Sequence, residues 1–203
     1  MPTHTPEAKS GTGRRVAVDT RPAPRQLATP TDLEHEQVQA ITEVVNGLIA
    51  DAFVLYLKTK NFHWHLAGPH FRDYHLLFDE QAEMLLGSLD VLAERVRRIG
   101  ETTIRSVSHV SRLQSLADDN DEFVPPAQMI DRLIEDNRHM AEKQREAIEI
   151  CERNQDTPTS NVLQDLLDKT EKRIWFLFET ARLGLKTQPP PDADWPAYCV
   201  IWV

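Results

Sequence analysis

Four polar residues could together hold a metal ion: His75, Asp79, Asp90 and Glu94. On a helix their spacings of four, eleven and four residues drift by only about 40°, 20° and 40° from whole turns. All four then project from one stripe about 100° wide. Imidazole and carboxylate in combination suit iron, manganese or zinc. The two cysteines, Cys151 and Cys199, form no CxxC pair, so a metal would have to be held by histidine and carboxylate alone.

One copy of such a helix cannot bring the four to one ion, because Asp79 and Asp90 lie about 16 Å apart along its axis. The spacing is symmetric, however: 75 with 94, and 79 with 90, share the midpoint 84.5. A second copy, antiparallel about a two-fold axis at that point, would set His75 and Asp79 opposite Glu94 and Asp90 of the partner subunit. A two-fold interface repeats every contact, so two equivalent sites arise, about 22 Å apart at the helical rise. His63, just before the turn into this helix, is the best-placed further nitrogen donor, with His65 and His70 as competitors.

Bland readings stand beside this one. Each pair alone reads as an exposed i,i+4 pair on a solvated face. Glu80/Glu83 and Glu146/Glu149 read as surface charges. So does Asp136/His139, the nearest approach to the Glu-x-x-His step of an intrasubunit di-iron bundle.

The elements that must position the stripe are helices. Val38, Ile41, Val45, Leu48, Ala52 and Leu55 recur at helical steps, predicting a first helix to about His65, opened by a capping box at Thr31 and Glu34. A second is expected from Pro69 to Gly100, through Phe78, Ala82, Leu85, Leu89, Leu92 and Val96. Residues 101–124 read as a long connection with a short helix near Arg112–Ala117. Pro125-Pro126 opens a third long helix, and Thr157 as cap before Pro158 a fourth, running to Gly184. Four long helices with one long middle link predict an all-α, ferritin-like four-helix bundle with a single crossover.

The chain has 203 residues, 40% hydrophobic and 27% charged, with a net charge of −9, ordinary for one globular domain. Three segments are expected: a disordered arm over residues 1–30, the bundle over 31–185, and a tail over 186–203 that is proline-rich and then apolar. Lys9, Arg14, Arg15, Arg21 and Arg25 against Glu7 and Asp19 leave residues 1–28 at +3. Lys186 against Asp192 and Asp194 leaves the tail at −1, so the body carries −11. Such a body repels nucleic acid, while the arm attracts it. No run of eighteen apolar residues occurs, so no membrane span is expected. The first residues lack the apolar core of a secretory signal, so a cytoplasmic location is expected.

The string Lys60-Asn61-Phe62-His63-Trp64-His65, followed by Gly68-Pro69-His70-Phe71, His75, Asp79, Asp90 and Ala93-Glu94-Arg95, resembles the Dps family, the mini-ferritins named for DNA protection during starvation. Ile174-Trp175-Phe176 extends the likeness, which covers roughly residues 33–184. The resemblance implies a hollow homododecamer built through two-fold and three-fold interfaces, with ferroxidase centres at the two-folds. His63, His75 and Asp79 would come from one subunit, and Asp90 and Glu94 from its partner. It further implies oxidation of Fe²⁺, preferably by hydrogen peroxide, with ferric mineral stored inside. Trp64 matches a tryptophan near the centre that intercepts stray oxidising equivalents, or simply packs. Asp156 and Asp165 match acidic positions lining three-fold entry pores, where Asn161 replaces an often acidic residue. Non-specific, salt-sensitive DNA binding through twelve arms is a further implication, with nucleoid association. The competing reading is a DNA-binding scaffold whose site holds zinc and is catalytically idle.

Overall fold

The computed structural model describes residues 24–182. Most of the expected arm, residues 1–23, and the tail, residues 186–203 with Cys199, lie outside that range. Among the described residues there is no strand. The long helices are α1 (His35–His65), α2 (Phe71–Arg98), α4 (Pro126–Arg153) and α5 (Thr157–Arg182), with a short α3 (Val107–Leu113) in the crossover. Helix α1 packs along α2, and α4 along α5, while α1 also meets α4 and α3.

The apolar rows read from the sequence face one another. Val38, Ile41, Val45 and Leu48 of α1 pack with Leu92 and Val96 of α2, Met140 and Ala147 of α4, and Leu163 and Leu166 of α5. A second cluster joins Leu55 and Phe62 to Phe78, Leu85, Leu133 and Leu177. Helix α1 is the most enclosed, and it qualifies the argument from apolar runs. Although no unbroken apolar run exists, an 18-residue window of α1 has mean hydropathy 1.6, enough by length and composition to cross a bilayer. In the bundle 56% of that window is buried, as befits a core helix.

Helix boundaries shift where side chains make choices that spacing does not reveal. Helix α1 starts at a capping box three residues after the expected one. The Glu34 carboxylate accepts from the Gln37 backbone N–H, and Gln37 Oε1 accepts from the Glu34 N–H at 2.8 Å. Thr31 is occupied otherwise, its hydroxyl accepting from the Leu33 N–H at 3.2 Å in a local turn. Pro69 lies outside α2, because the reversal uses left-handed backbone at Gly68 (φ 99°) and His70 (φ 64°). Ser106 caps α3 by accepting from the His109 N–H, which draws that helix several residues earlier than Arg112–Ala117. Asp156, not Thr157, opens α5, accepting from the Thr159 N–H at 3.0 Å.

The arm is also held earlier than expected. Thr29 Oγ1 donates to the Arg97 carbonyl at 3.0 Å, and Arg97 Nη2 donates to the Leu27 carbonyl at 2.6 Å. At Gly100 (φ 94°) a β-carbon would stand 3.0 Å from the Thr29 carbonyl oxygen, so only glycine lets the strap lie this close. The crossover is fastened at its middle. Buried Asp51 of α1 accepts from the Ser115 N–H and hydroxyl, both at 2.6 Å, and from the Leu116 N–H at 3.0 Å. The Ser115 proton goes to Asp51, so His139 Nε2, 2.7 Å from the same hydroxyl oxygen, is the donor to it. Asp136 is likewise engaged, paired at 2.6 Å with buried Lys58; neither residue of the Asp136/His139 pair is an idle surface charge.

Candidate metal centre

The last turns of α1 run antiparallel to the first turns of α2, and two histidines meet there. The rings of His63 and His75 stack with centroids 3.7 Å apart and planes at 21°. Each turns Nδ1 onto the other's backbone: His63 Nδ1 lies 2.9 Å from the His75 carbonyl, and His75 Nδ1 lies 3.1 Å from the His63 carbonyl. A carbonyl only accepts, so Nδ1 carries the proton on both rings. In the neutral imidazoles Nε2 is left as a lone-pair donor, the arrangement by which second contacts orient metal-ligating histidines. His63 is only 8% exposed, and Phe71 also stacks on His75, with centroids 5.0 Å apart.

Asp79 follows His75 by one turn, its Oδ1 3.9 Å from His63 Nε2. The same oxygen accepts from Lys60 Nζ at 2.6 Å. That hydrogen bond is the main cause holding the Asp79 carboxyl below its ordinary range; desolvation opposes it, and the charge of Lys60 reinforces it, joined by His63 and His75 when those rings are protonated. Lys60 had no place in the sequence reading. Its signal was available, since it precedes His63 by three residues and so shares its face. Lys60 Nζ also sits 5.9 Å from the Trp64 ring centroid, a cation–π contact. Trp64 itself is 60% exposed beside His63.

The structure thus brings together His63, His75 and Asp79, and leaves the competitors aside. His65 Nδ1 bonds to the Asn61 carbonyl at 2.9 Å on the outer face. His70 occupies the N-cap position of α2 without a side-chain capping bond and tilts against Tyr74. Asp90 and Glu94 lie further along α2, both exposed. Glu94 is held by Arg98 at 2.6 Å one turn on. Among the described residues no three His, Cys, Asp or Glu gather closely enough to hold a metal within one chain; His63, His75 and Asp79 are neighbours rather than a formed site, and the eleven-residue gap keeps Asp90 and Glu94 away from them. Exposed Leu76, Leu86 and Val91 flank the ligand stripe along α2. Cys151 is buried, and burial pushes its thiol up to about 12, so it supplies no thiolate.

Arg95, next to Glu94, points inward. Its Nε and Nη2 donate to Thr159 Oγ1 at 3.0 and 2.9 Å, and Nη2 donates to Asp156 Oδ1 at 3.1 Å. Asp156, one of the two residues matched to an entry pore, is therefore buried, its oxygens taken by Arg95 and the first turn of α5. Asp165, the other, is exposed on α5.

Comparison with known proteins agrees on one family. A ferritin-like domain model matches residues 42–183. DNA protection during starvation protein 2 of Bacillus anthracis is 30% identical over 68% of this chain and 93% of its own length. An uncharacterized low temperature-induced protein of Nostoc is also 30% identical, over 81% of this chain and 91% of its own length. Among solved structures, a DPS protein from Vibrio cholerae O1, described as a member of a broad superfamily of ferritin-like diiron-carboxylate proteins, superposes with a TM-score of 0.71. It is 25% identical and covers 75% of this chain and 96% of its own.

Proposed function

The chain belongs to the Dps family of ferritin-like proteins, and we propose that it is a ferroxidase and iron-storage protein whose metal sites are shared between two subunits. The observation that carries this reading is the reciprocal locking of His63 and His75, which leaves two Nε2 lone pairs beside an ionised Asp79. In this reading the three neighbours draw together on iron as an open half-site. Asp90 and Glu94 of the partner subunit complete it under the two-fold pairing of α2, and exposed Leu76, Leu86 and Val91 on that helix supply apolar surface for the pairing.

The substrate is ferrous iron. Hard carboxylate oxygens favour Fe³⁺ over Fe²⁺ and lower the cost of oxidation. Two ferrous ions each give one electron to hydrogen peroxide; the O–O bond breaks, and two protons complete two waters. Delivering the electrons together avoids a free hydroxyl radical, and the ferric product is stored as mineral inside a twelve-subunit shell. Entry through a pore rests on exposed Asp165, since Asp156 is committed within the subunit. Lys60 competes with iron for Asp79 Oδ1, so the ammonium acts as a tethered stand-in for the cation.

The test adds Fe²⁺ anaerobically, then peroxide, to wild type and to the double variant Asp90→Ala, Glu94→Ala. Rapid oxidation in wild type, lost in a correctly assembled variant, is expected. Mixing Asp90→Ala subunits with His75→Ala subunits should restore one intact site per heterodimer. Equal slow oxidation in wild type and variant would overturn the reading and leave a ferritin-like shell without its enzyme.

A further inference from the structure

Among the described residues, one cation is buried in the bundle without an anion beside it. Arg173 of α5 is 4% exposed, and among the described residues no carboxylate contacts it. Its Nε donates to Asn137 Oδ1 at 2.8 Å and its Nη2 to Thr170 Oγ1 at 2.9 Å, both neutral acceptors. Burial lowers its pKa to about 10, which still leaves it charged at neutral pH. Buried charges are ordinarily paired, so this guanidinium calls for a counter-ion.

Two voids border it. The smaller, about 10 Å³, lies in the core between Arg173, Thr170, Ser88 and Gln144. Gln144 Oε1 is buried there without a hydrogen-bond partner, and an orphan acceptor needs a donor rather than an anion. A void of that size suits one water. The larger is a cleft of about 450 Å³ between α2 and α5, lined by Arg173 and Lys172 with Leu77, Met84 and Phe176 as apolar wall. Lys172 Nζ stands 5.5 Å from the Phe176 ring centroid, which keeps a second positive charge at the cleft.

We propose that this cleft binds a small tetrahedral oxyanion of the phosphate class, held between the buried Arg173 and the exposed Lys172. A planar guanidinium presents paired N–H groups that match such oxygens, and a lysine adds a point charge. Glu80 and Glu83 also line the cleft. Their charge repels a polyanion such as a nucleic-acid backbone and confines the occupant to a small free ion. The site is separate from the shared metal centre and uses none of its ligands.

Arsenate serves as the probe, because it copies phosphate and its arsenic is located by anomalous diffraction. Crystals of the assembled, iron-free protein are soaked in arsenate with and without excess inorganic phosphate. The expected result is an arsenic peak within hydrogen-bonding distance of Arg173 in the cleft, displaced by phosphate and weakened in Lys172→Ala, an exposed change that spares the fold. In solution, phosphate should raise the melting temperature of wild type above that in chloride of equal ionic strength, and Lys172→Ala should shrink the difference. No arsenic at Arg173 under saturating arsenate, or equal melting temperatures in the two salts, would overturn the proposal. Iron is absent throughout, so failure here leaves the ferroxidase reading standing, and failure of the ferroxidase leaves this site standing.

Discussion

Helix α2 carries two sets of candidate ligands, and the chain treats them differently. Near its start, His75 and Asp79 are built in: the His75 ring is clamped to a backbone carbonyl and stacked on His63, and Asp79 is charge-balanced by Lys60. Near its end, Asp90 and Glu94 are exposed, and Glu94 rests on a surface arginine. Under the proposed two-fold pairing, the difference teaches how a symmetric site would divide its labour. The histidines are pre-oriented within one subunit, because a misplaced imidazole costs affinity directly. The two carboxylates can stay loose until assembly, since solvated charges need no local partner.

The contrast can be broken most forcefully at Arg95. The backbone of the loose end is pinned by this residue, whose partner Asp156 is nearly inaccessible. Arg95→Met strands a buried carboxylate and should cost about 3–5 kcal/mol of stability, read as a fall in the denaturant midpoint. A loss below one kilocalorie would mean that the end of α2 is held by other contacts.

A smaller effect sharpens the comparison itself. His63→Ala removes a buried, stacked and hydrogen-bonded ring and should cost the metal-free protein about 1–3 kcal/mol. Asp90→Ala should leave the unfolding midpoint near that of wild type. Both should abolish tight Co²⁺ binding to the assembled protein, so equal stability with unequal binding would reverse the assignment of roles.

The smallest effect concerns protonation. A carboxyl with a depressed pKa keeps its stabilising charge above its unfolded value and loses it only as the pH falls through the lower folded value. In metal-free wild type, Asp79 should therefore titrate below 3.8. Lys60→Met removes the main cause, so the midpoint should rise toward that of an ordinary aspartate, followed by carboxyl carbon NMR. The same variant should bind Co²⁺ more tightly, because no tethered ammonium competes.

Most of the bundle was legible because apolar spacing reports helical faces, and Val38 through Leu55 are buried as their period requires. Helix ends were less legible. Thr31/Glu34 and Glu34/Gln37 both fit a capping box, and only folding shows which hydroxyl or carboxylate is free to cap. The left-handed His70 had no such signal, because glycine and proline nearby already explained the turn. At the site, the stripe on α2 was readable from one helix alone. The position of Lys60 beside His63 was readable too, but its pairing with Asp79 and the Arg95–Asp156 pair were not, since each joins residues on different helices, 19 and 61 positions apart. Asp156 shows the hazard of position matching: an acidic residue at a helix start is first a cap, and here the cap consumes it.

The fastening of the crossover at Asp51 reaches into the dynamics of the protein. The amides of Ser115 and Leu116 lie outside any helix, where backbone hydrogens ordinarily trade with solvent in brief local openings. Both are donated to a carboxylate rooted in the most enclosed helix of the bundle. They cannot open without withdrawing two bonds from a buried charge. In hydrogen–deuterium exchange they therefore group with the slow core of α1, and the middle of a long connection behaves as part of the bundle's last cooperative unit to unfold.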